Sequence, residues 1–357
     1  MVNPREFYRK RRVWLSGHTG FKGSWLSLWL LELGACVHGF AQPPETVPSL
    51  FKQLSLASSL EHEIADIRNG AAVTSSIRDF QPDVVIHMAA QPLVRRSYAI
   101  PVETFETNAM GTVHVLEALR SLSKPCAAVM VTTDKCYENQ ESGRAYEEGD
   151  PLGGHDPYSS SKAMAEIATA AYRDSFFSNH SVRVASARAG NVIGGGDWAE
   201  DRIVPDAIRA IDEGVVVPVR NPNAVRPWQH VLEPLGGYLL LAAGLASDPS
   251  LATAFNFGPG PEANRSVRDL AGEMLKHREG AWEDVSDPSA LHEATLLNLS
   301  ISKARGTLGW NPLWDFPKTV EKTVTWYRDV RNKTVTPQEM TLTQIREYDR
   351  ELFNAHP

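Results

Sequence analysis

The stretch VWLSGHTGFKGSWLSLWLLEL, Val13 to Leu33, decides the fold. Its first residues, Val13–Ser16, read as an apolar strand. Three glycines follow in GxxGxxG spacing, and Lys22–Leu33 reads as a helix stopped by Gly34. The spacing is one residue longer at the front than GxGxxG. Glycines at such a turn let the backbone approach a pyrophosphate, which rests on the unpaired amides of the helix N-terminus. Glycines also occur in ordinary strand-to-helix turns. Here the strand before, the helix after and the N-terminal position favour a dinucleotide site built from Gly17, Thr19, Gly20, Phe21, Lys22 and Gly23.

Outward from this turn, apolar runs alternate with longer amphipathic ones. Val37–Ala41, Glu63–Ile67, Asp83–Met88, Ala127–Thr132, Val182–Ala187 and Ala254–Phe257 read as strands. Pro101–Ser121, Tyr158–Phe176, Pro234–Ala246, Val267–Lys276 and Pro317–Arg331 read as helices. Continuously apolar strands between helices predict a parallel sheet covered on both faces, a doubly wound Rossmann-type α/β fold. The expected division is a cofactor domain over 12–187, with 230–258 returning to it. A smaller, discontinuous substrate-binding domain covers 188–229 and 259–335, and 336–357 is read as a tail without a motif.

With 357 residues, 42% of them hydrophobic, the chain can bury a sizeable core. A net charge of −7 argues against a general nucleic-acid surface. Three cysteines (Cys36, Cys126, Cys136) make neither a disulfide framework nor a four-cysteine zinc site, so no metal is expected. The basic N-terminus is followed by a stretch broken by Ser16, Gly17, His18 and Lys22, which makes a poor signal peptide. The expectation is a soluble, cytoplasmic protein without a membrane span.

The acid that usually ends the second strand and binds ribose hydroxyls is missing, since the stretch reads Phe40-Ala41-Gln42-Pro43. Lys22 offers a charge for a 2′-phosphate, so NAD and NADP both stay open at this site. Asp66, with Ile67, is read either as holding the adenine or as capping the next helix. A second motif is Tyr158-Ser-Ser-Ser-Lys162. It places a phenol and an ammonium one helical turn apart, where the cation can lower the phenol's pKa and make it a base. Among nine tyrosines it is the only one with a lysine four residues on.

On these motifs the chain resembles the extended short-chain dehydrogenase/reductases. More narrowly, it resembles the CDP-glucose 4,6-dehydratases. The strings that carry the likeness are SGHTGFKGSWLSLWL (Ser16–Leu30), PETVPSLF (Pro44–Phe51), HMAAQPLVRRSY (His87–Tyr98), TTDKCYEN (Thr132–Asn139), RAGNVIGGGDW (Arg188–Trp198) and RPWQHVLEPL (Arg226–Leu235). The resemblance implies NAD as cofactor, held also by Ala89, Tyr158 and Lys162, and CDP-glucose as substrate. It implies an oxidation, elimination and reduction within one sugar. Tyr158 would take the C4 hydroxyl proton, helped by Lys162 and Thr133. Asp134 would act as acid at C6 and Lys135 as base at C5. Related dTDP-sugar enzymes carry two carboxylates here, so Lys135 marks the CDP-glucose group. Gln91, Asn191, Arg220 and Arg226 are expected at the substrate, with His230, Trp198 and Trp228 as weaker candidates and Cys136 as structural. The family also implies a homodimer or homotetramer and a product for deoxysugar synthesis of the O-antigen, lipopolysaccharide type. A 4-epimerase of the same fold and a non-catalytic dinucleotide sensor are the competing functions.

Overall fold

The computed structural model describes residues 3–140, 143–287 and 297–354. Parts of the expected substrate-binding span (288–296) and tail (355–357) lie outside them. Seven strands form one sheet: β1 (Arg12–Ser16), β2 (Cys36–Ala41), β3 (Glu61–Ile64), β4 (Val84–His87), β5 (Cys126–Val131), β6 (Val182–Ala189) and β7 (Ala254–Phe257). Their order is β7-β6-β5-β4-β1-β2-β3, and every neighbouring pair is parallel. The chain reverses its direction of winding between β1 and β4, the place where such sheets bind ligands.

Alternation along the strands builds two cores. Val13 and Leu15 of β1 face one, and Trp14 faces the other. In the same way Val129 and Val131 of β5 oppose Ala128 and Met130. The helices that cover these faces are α1 (Phe21–Glu32), α2 (Gly70–Phe80), α3 (Gly111–Arg120), α4 (Pro157–Tyr172), α5 (Ile203–Glu213), α6 (Leu232–Leu245), α7 (Phe316–Arg331) and α8 (Pro337–Asn354). The helix read over Pro101–Ser121 runs as Pro101–Phe105, a wide turn at Glu106–Met110, and α3.

β3 begins two residues before its expected start and ends three before its expected end. It is an edge strand with mostly exposed side chains. His38 of β2 hydrogen-bonds Glu61 and Glu63 at 2.9 Å each, so polar bonds rather than apolar burial set its position. The last segment also differs from expectation, because α8 packs on α1. Trp29 Nε1 donates to Asp349 Oδ1 at 2.9 Å, and Tyr348 and Leu352 are buried. α1 is apolar nearly all round because it lies under α8 as well as on the sheet. No helix among the described residues is long and apolar enough to cross a membrane.

Candidate active site

The glycine turn joins β1 to α1 with no room to spare. Gly17 has φ +77°, and a β-carbon there would stand 2.8 Å from the Ala89 amide nitrogen. A β-carbon on Gly23 would strike the Gly17 carbonyl oxygen at 2.0 Å. The N-terminus of α1 at Gly20 has no side-chain cap, so its first amides are free for an anion. Thr19 Oγ1 donates to Gln42 O at 2.9 Å and ties the turn to the end of β2. The Phe21 ring lies over Gly194, beyond β6. This cradle, closed to any side chain and lined by free amides, fits a dinucleotide pyrophosphate.

At the ribose end, Asp66 is not the helix cap. Asn69 caps α2, accepting from Ala72 N at 3.1 Å. The Asp66 carboxylate instead accepts from Gln42 Nε2 at 2.8 Å and from the Arg68 guanidinium, which holds it below the usual carboxylate range. Ile67 is buried against Gly111. Lys22 does not serve a 2′-phosphate at this end. Its ammonium donates to Tyr238 Oη on α6 at 3.0 Å, within the fields of Lys162, Arg202 and Asp134. Burial and the two neighbouring cations bring it down to about 7.

The reactive groups gather where α4 meets the end of β5. Asp156 caps α4 through Ser159 N at 2.9 Å, and Pro157 starts it, which fixes the entry of Tyr158. Tyr158 and Lys162 are both buried. Burial pushes the phenol up to about 12, against a hydrogen bond with Thr133 and the charge of Arg202. Lys162 is not among the charges that act on the phenol, so the expected lowering is not seen in this structure. Burial takes Lys162 down to about 8, with Glu166 opposing.

Thr133 Oγ1 donates to Asp134 Oδ1 at 2.9 Å. Asp134 is 2% exposed, and its Oδ2 has no hydrogen-bond partner among the described residues. Burial raises this carboxyl above its ordinary value, while Lys135 and Arg226 pull the other way. A carboxyl raised in this way, with one oxygen unpartnered, is suited to act as a proton donor. Lys135 is half-buried beside it.

The expected substrate residues divide. Arg226 lies within the field of Asp134, and Asn191 borders the same region, its carbonyl receiving Gln229 N at 3.1 Å. Gln91 instead braces its own loop, bonding Leu93 and Thr104. Arg220 is held by Asp201 at 2.5 Å and Asp206 at 3.4 Å. His230 is buried between Trp25 and Trp314, and Trp228 Nε1 donates to Arg265 O, so both belong to packing. Trp198 Nε1 donates to Gln53 Oε1 at 3.1 Å, and its ring packs on Tyr327. Cys136 is fully buried, and burial pushes its thiol up. Sequence reasoning missed Arg202, at the N-terminus of α5, whose charge reaches Tyr158 and Lys22. It also missed Tyr238 and Glu166. The one available signal for Arg202 was its place four residues past the GGGDW string, at the start of a helical pattern.

Fold and site together define a Rossmann-type α/β protein of the short-chain dehydrogenase/reductase class. Residues 15–323 match the family described as GDP-mannose 4,6 dehydratase, and the chain belongs to it. A CDP-glucose 4,6-dehydratase of Salmonella typhimurium (strain LT2) is 47% identical over 337 residues, spanning 91% of this chain and 92% of that one. A dTDP-glucose 4,6-dehydratase of Streptomyces antibioticus is 32% identical over 74% of this chain and 76% of its own. Among solved structures, a dTDP-glucose 4,6-dehydratase from Streptomyces venezuelae with NAD bound superimposes with a TM-score of 0.77, at 24% identity, over 90% of this chain and 98% of that one.

Proposed function

We propose that the protein is a CDP-glucose 4,6-dehydratase that uses NAD, releasing water and forming CDP-4-dehydro-6-deoxyglucose. Asp134 carries this reading: it is a buried carboxyl with a free oxygen, next to the Tyr158–Lys162 pair. A 4-epimerase has no step that needs such an acid. The 47% identity to the Salmonella enzyme supports CDP-glucose as the substrate.

The glycine-turn amides, Thr19, Asp66, Ile67 and Lys162 would hold the cofactor. Bound NAD supplies a hydride acceptor at C4 and a hydride donor at C6, so it ends the cycle unchanged. Tyr158 takes the C4 hydroxyl proton, steadied by Thr133. Lys162, one helical turn along α4, would stabilise the phenolate as it forms. The 4-ketone acidifies C5–H, and Lys135 takes that proton. Asp134 protonates the C6 hydroxyl, which leaves as water. Arg226 and Asn191 hold the nucleotide diphosphate, a match of guanidinium fork to phosphate.

Val102 and Met110, before α3, and Met164 and Ile167 on α4 are exposed apolar residues. They suit pairing of two copies through these helices, consistent with a cytoplasmic homodimer or homotetramer. The product serves deoxysugar synthesis of the O-antigen, lipopolysaccharide type. The test is incubation of the purified protein with NAD and CDP-, dTDP-, GDP- or UDP-glucose. A 4-ketosugar that has lost one water, formed fastest from CDP-glucose, is expected. Epimerised sugar without ketone overturns the reading.

A further inference from the structure

α4 carries a third side chain in line with Tyr158 and Lys162. Glu166 follows Lys162 by four positions, as Lys162 follows Tyr158, so the three stand on one helical face. They engage three consecutive residues at the end of β5. Lys162 Nζ donates to Val131 O at 3.3 Å. Thr132 Oγ1 donates to Glu166 Oε1 at 2.5 Å. Thr133 is hydrogen-bonded to the Tyr158 phenol. The next residue along the chain is Asp134.

The second oxygen of Glu166 reaches β6. It accepts from Ser186 Oγ at 2.8 Å and from Arg188 Nη2 at 2.7 Å, in a pair only 3% and 4% exposed. Arg188 Nη1 continues to Tyr137 Oη at 2.8 Å, and Tyr137 Oη donates to Asn256 Oδ1 on β7 at 2.7 Å. One carboxylate thus joins α4, β5 and β6 directly under the site. Burying an ion pair this deeply costs desolvation that apolar packing would avoid, so stability is a weak account of it.

We propose that Glu166 is a positioning residue for the reaction, one that locks the helix bearing Tyr158 and Lys162 onto the strand end bearing Thr133 and Asp134, and that acts on the chemistry through Lys162. This rests on the roles given to Tyr158 and Lys162 above. The ionisable groups whose charge reaches Lys162 are Glu166 on α4, Cys136 after β5, His87 at the end of β4 and Lys22 on α1. Glu166 is the largest influence favouring the ammonium, against burial. Removing its charge lets Lys162 lose its proton at lower pH.

Glu166→Gln keeps size and acceptor oxygen while removing the charge. Two readouts are taken, for wild type and variant. The first is the Lys162 titration by NMR of 13Cε-labelled lysine, assigned through Lys162→Met and needing neither substrate nor cofactor. The second is kcat against pH with NAD and CDP-glucose. The Lys162 midpoint and the alkaline limb of kcat are both expected to fall by about one pH unit. A purely structural ion pair scales kcat at every pH and leaves the midpoint in place, and that result overturns the proposal. Thr132→Val spares both buried charges and tests the lock by itself. A several-fold loss of kcat with an unchanged KM is expected, and wild-type kcat overturns the lock. Wild type inactive on every nucleotide sugar fails the dehydratase reading, while the NMR midpoint still decides the role of Glu166.

Discussion

Gly190 lies directly beneath the carboxylate of Asp134: a β-carbon there would stand 2.9 Å from Oδ2 and 3.2 Å from Pro227 Cγ. The close fit sets the one oxygen of Asp134 that is free to act on substrate. A methyl group at Gly190 must push it, because Pro227 is ring-constrained on the other side. Gly190→Ala is expected to slow dehydration roughly 10- to 100-fold, as misplacement of a reacting group does. Binding of the cofactor, at the far side of β5, stays at the wild-type level. Steady-state turnover of CDP-glucose and a fluorescence titration with NAD check the two halves.

Tyr158→Phe removes the base and one hydrogen bond to Thr133. The helix and its Asp156 cap are untouched. Loss of about 10²- to 10⁴-fold in kcat is expected, the range for a positioned acid–base group. Exchange of hydride with the cofactor should fall with it, since proton and hydride leave the same C4–OH unit. A variant that still reduces NAD transiently at the wild-type rate places the base elsewhere.

The parts that could be read from the sequence are those whose signal is local. Glycines at 17 and 23 are forced by contacts within the turn and with Ala89, and β4 and β5 are almost continuously apolar because both faces are covered. β3 was misplaced because its residues are mostly exposed and its bonds to His38 are polar. Residues 336–357 read as a tail because Ile345, Tyr348 and Leu352 are diluted among charges, and only α1, α6 and Trp314 show what they cover. Arg202 acts on Tyr158 and Lys22 from a distant part of the chain, and Glu166 is held by Ser186 and Arg188 of β6, contacts that no spacing rule reaches. The same holds for Arg220, whose guanidinium suits a phosphate but is occupied by Asp201 and Asp206.

Gly17→Ala tests the cofactor cradle. The φ of +77° costs an alanine about 1–2 kcal/mol by itself. The added carbon also strikes the Ala89 amide and forces β1 and β4 apart at their ends. Loss of NAD binding by at least roughly a hundredfold is expected, since two strand ends and the helix start must all shift. Calorimetric titration of NAD into the folded variant measures it, and affinity within a few-fold of wild type refutes the placement.

A buried carboxyl far from the chemistry sets a pH dependence of stability. Glu233, at the start of α6, accepts from Leu313 N, Trp314 N and Tyr348 Oη, and burial raises it from 4.5 to about 7. The folded protein therefore keeps this proton to higher pH than the unfolded chain does. Its stabilising effect is complete below pH 4.5 and is lost as pH rises to about 7. The difference amounts to about 3 kcal/mol at roughly 1.4 kcal/mol per pH unit. Glu233→Gln keeps an acceptor for Trp314 and carries no charge at any pH. Its unfolding free energy relative to wild type is expected to rise by up to about 3 kcal/mol between pH 5 and 8. Urea unfolding at both pH values measures this, and parallel curves for the two proteins would place the proton on another group.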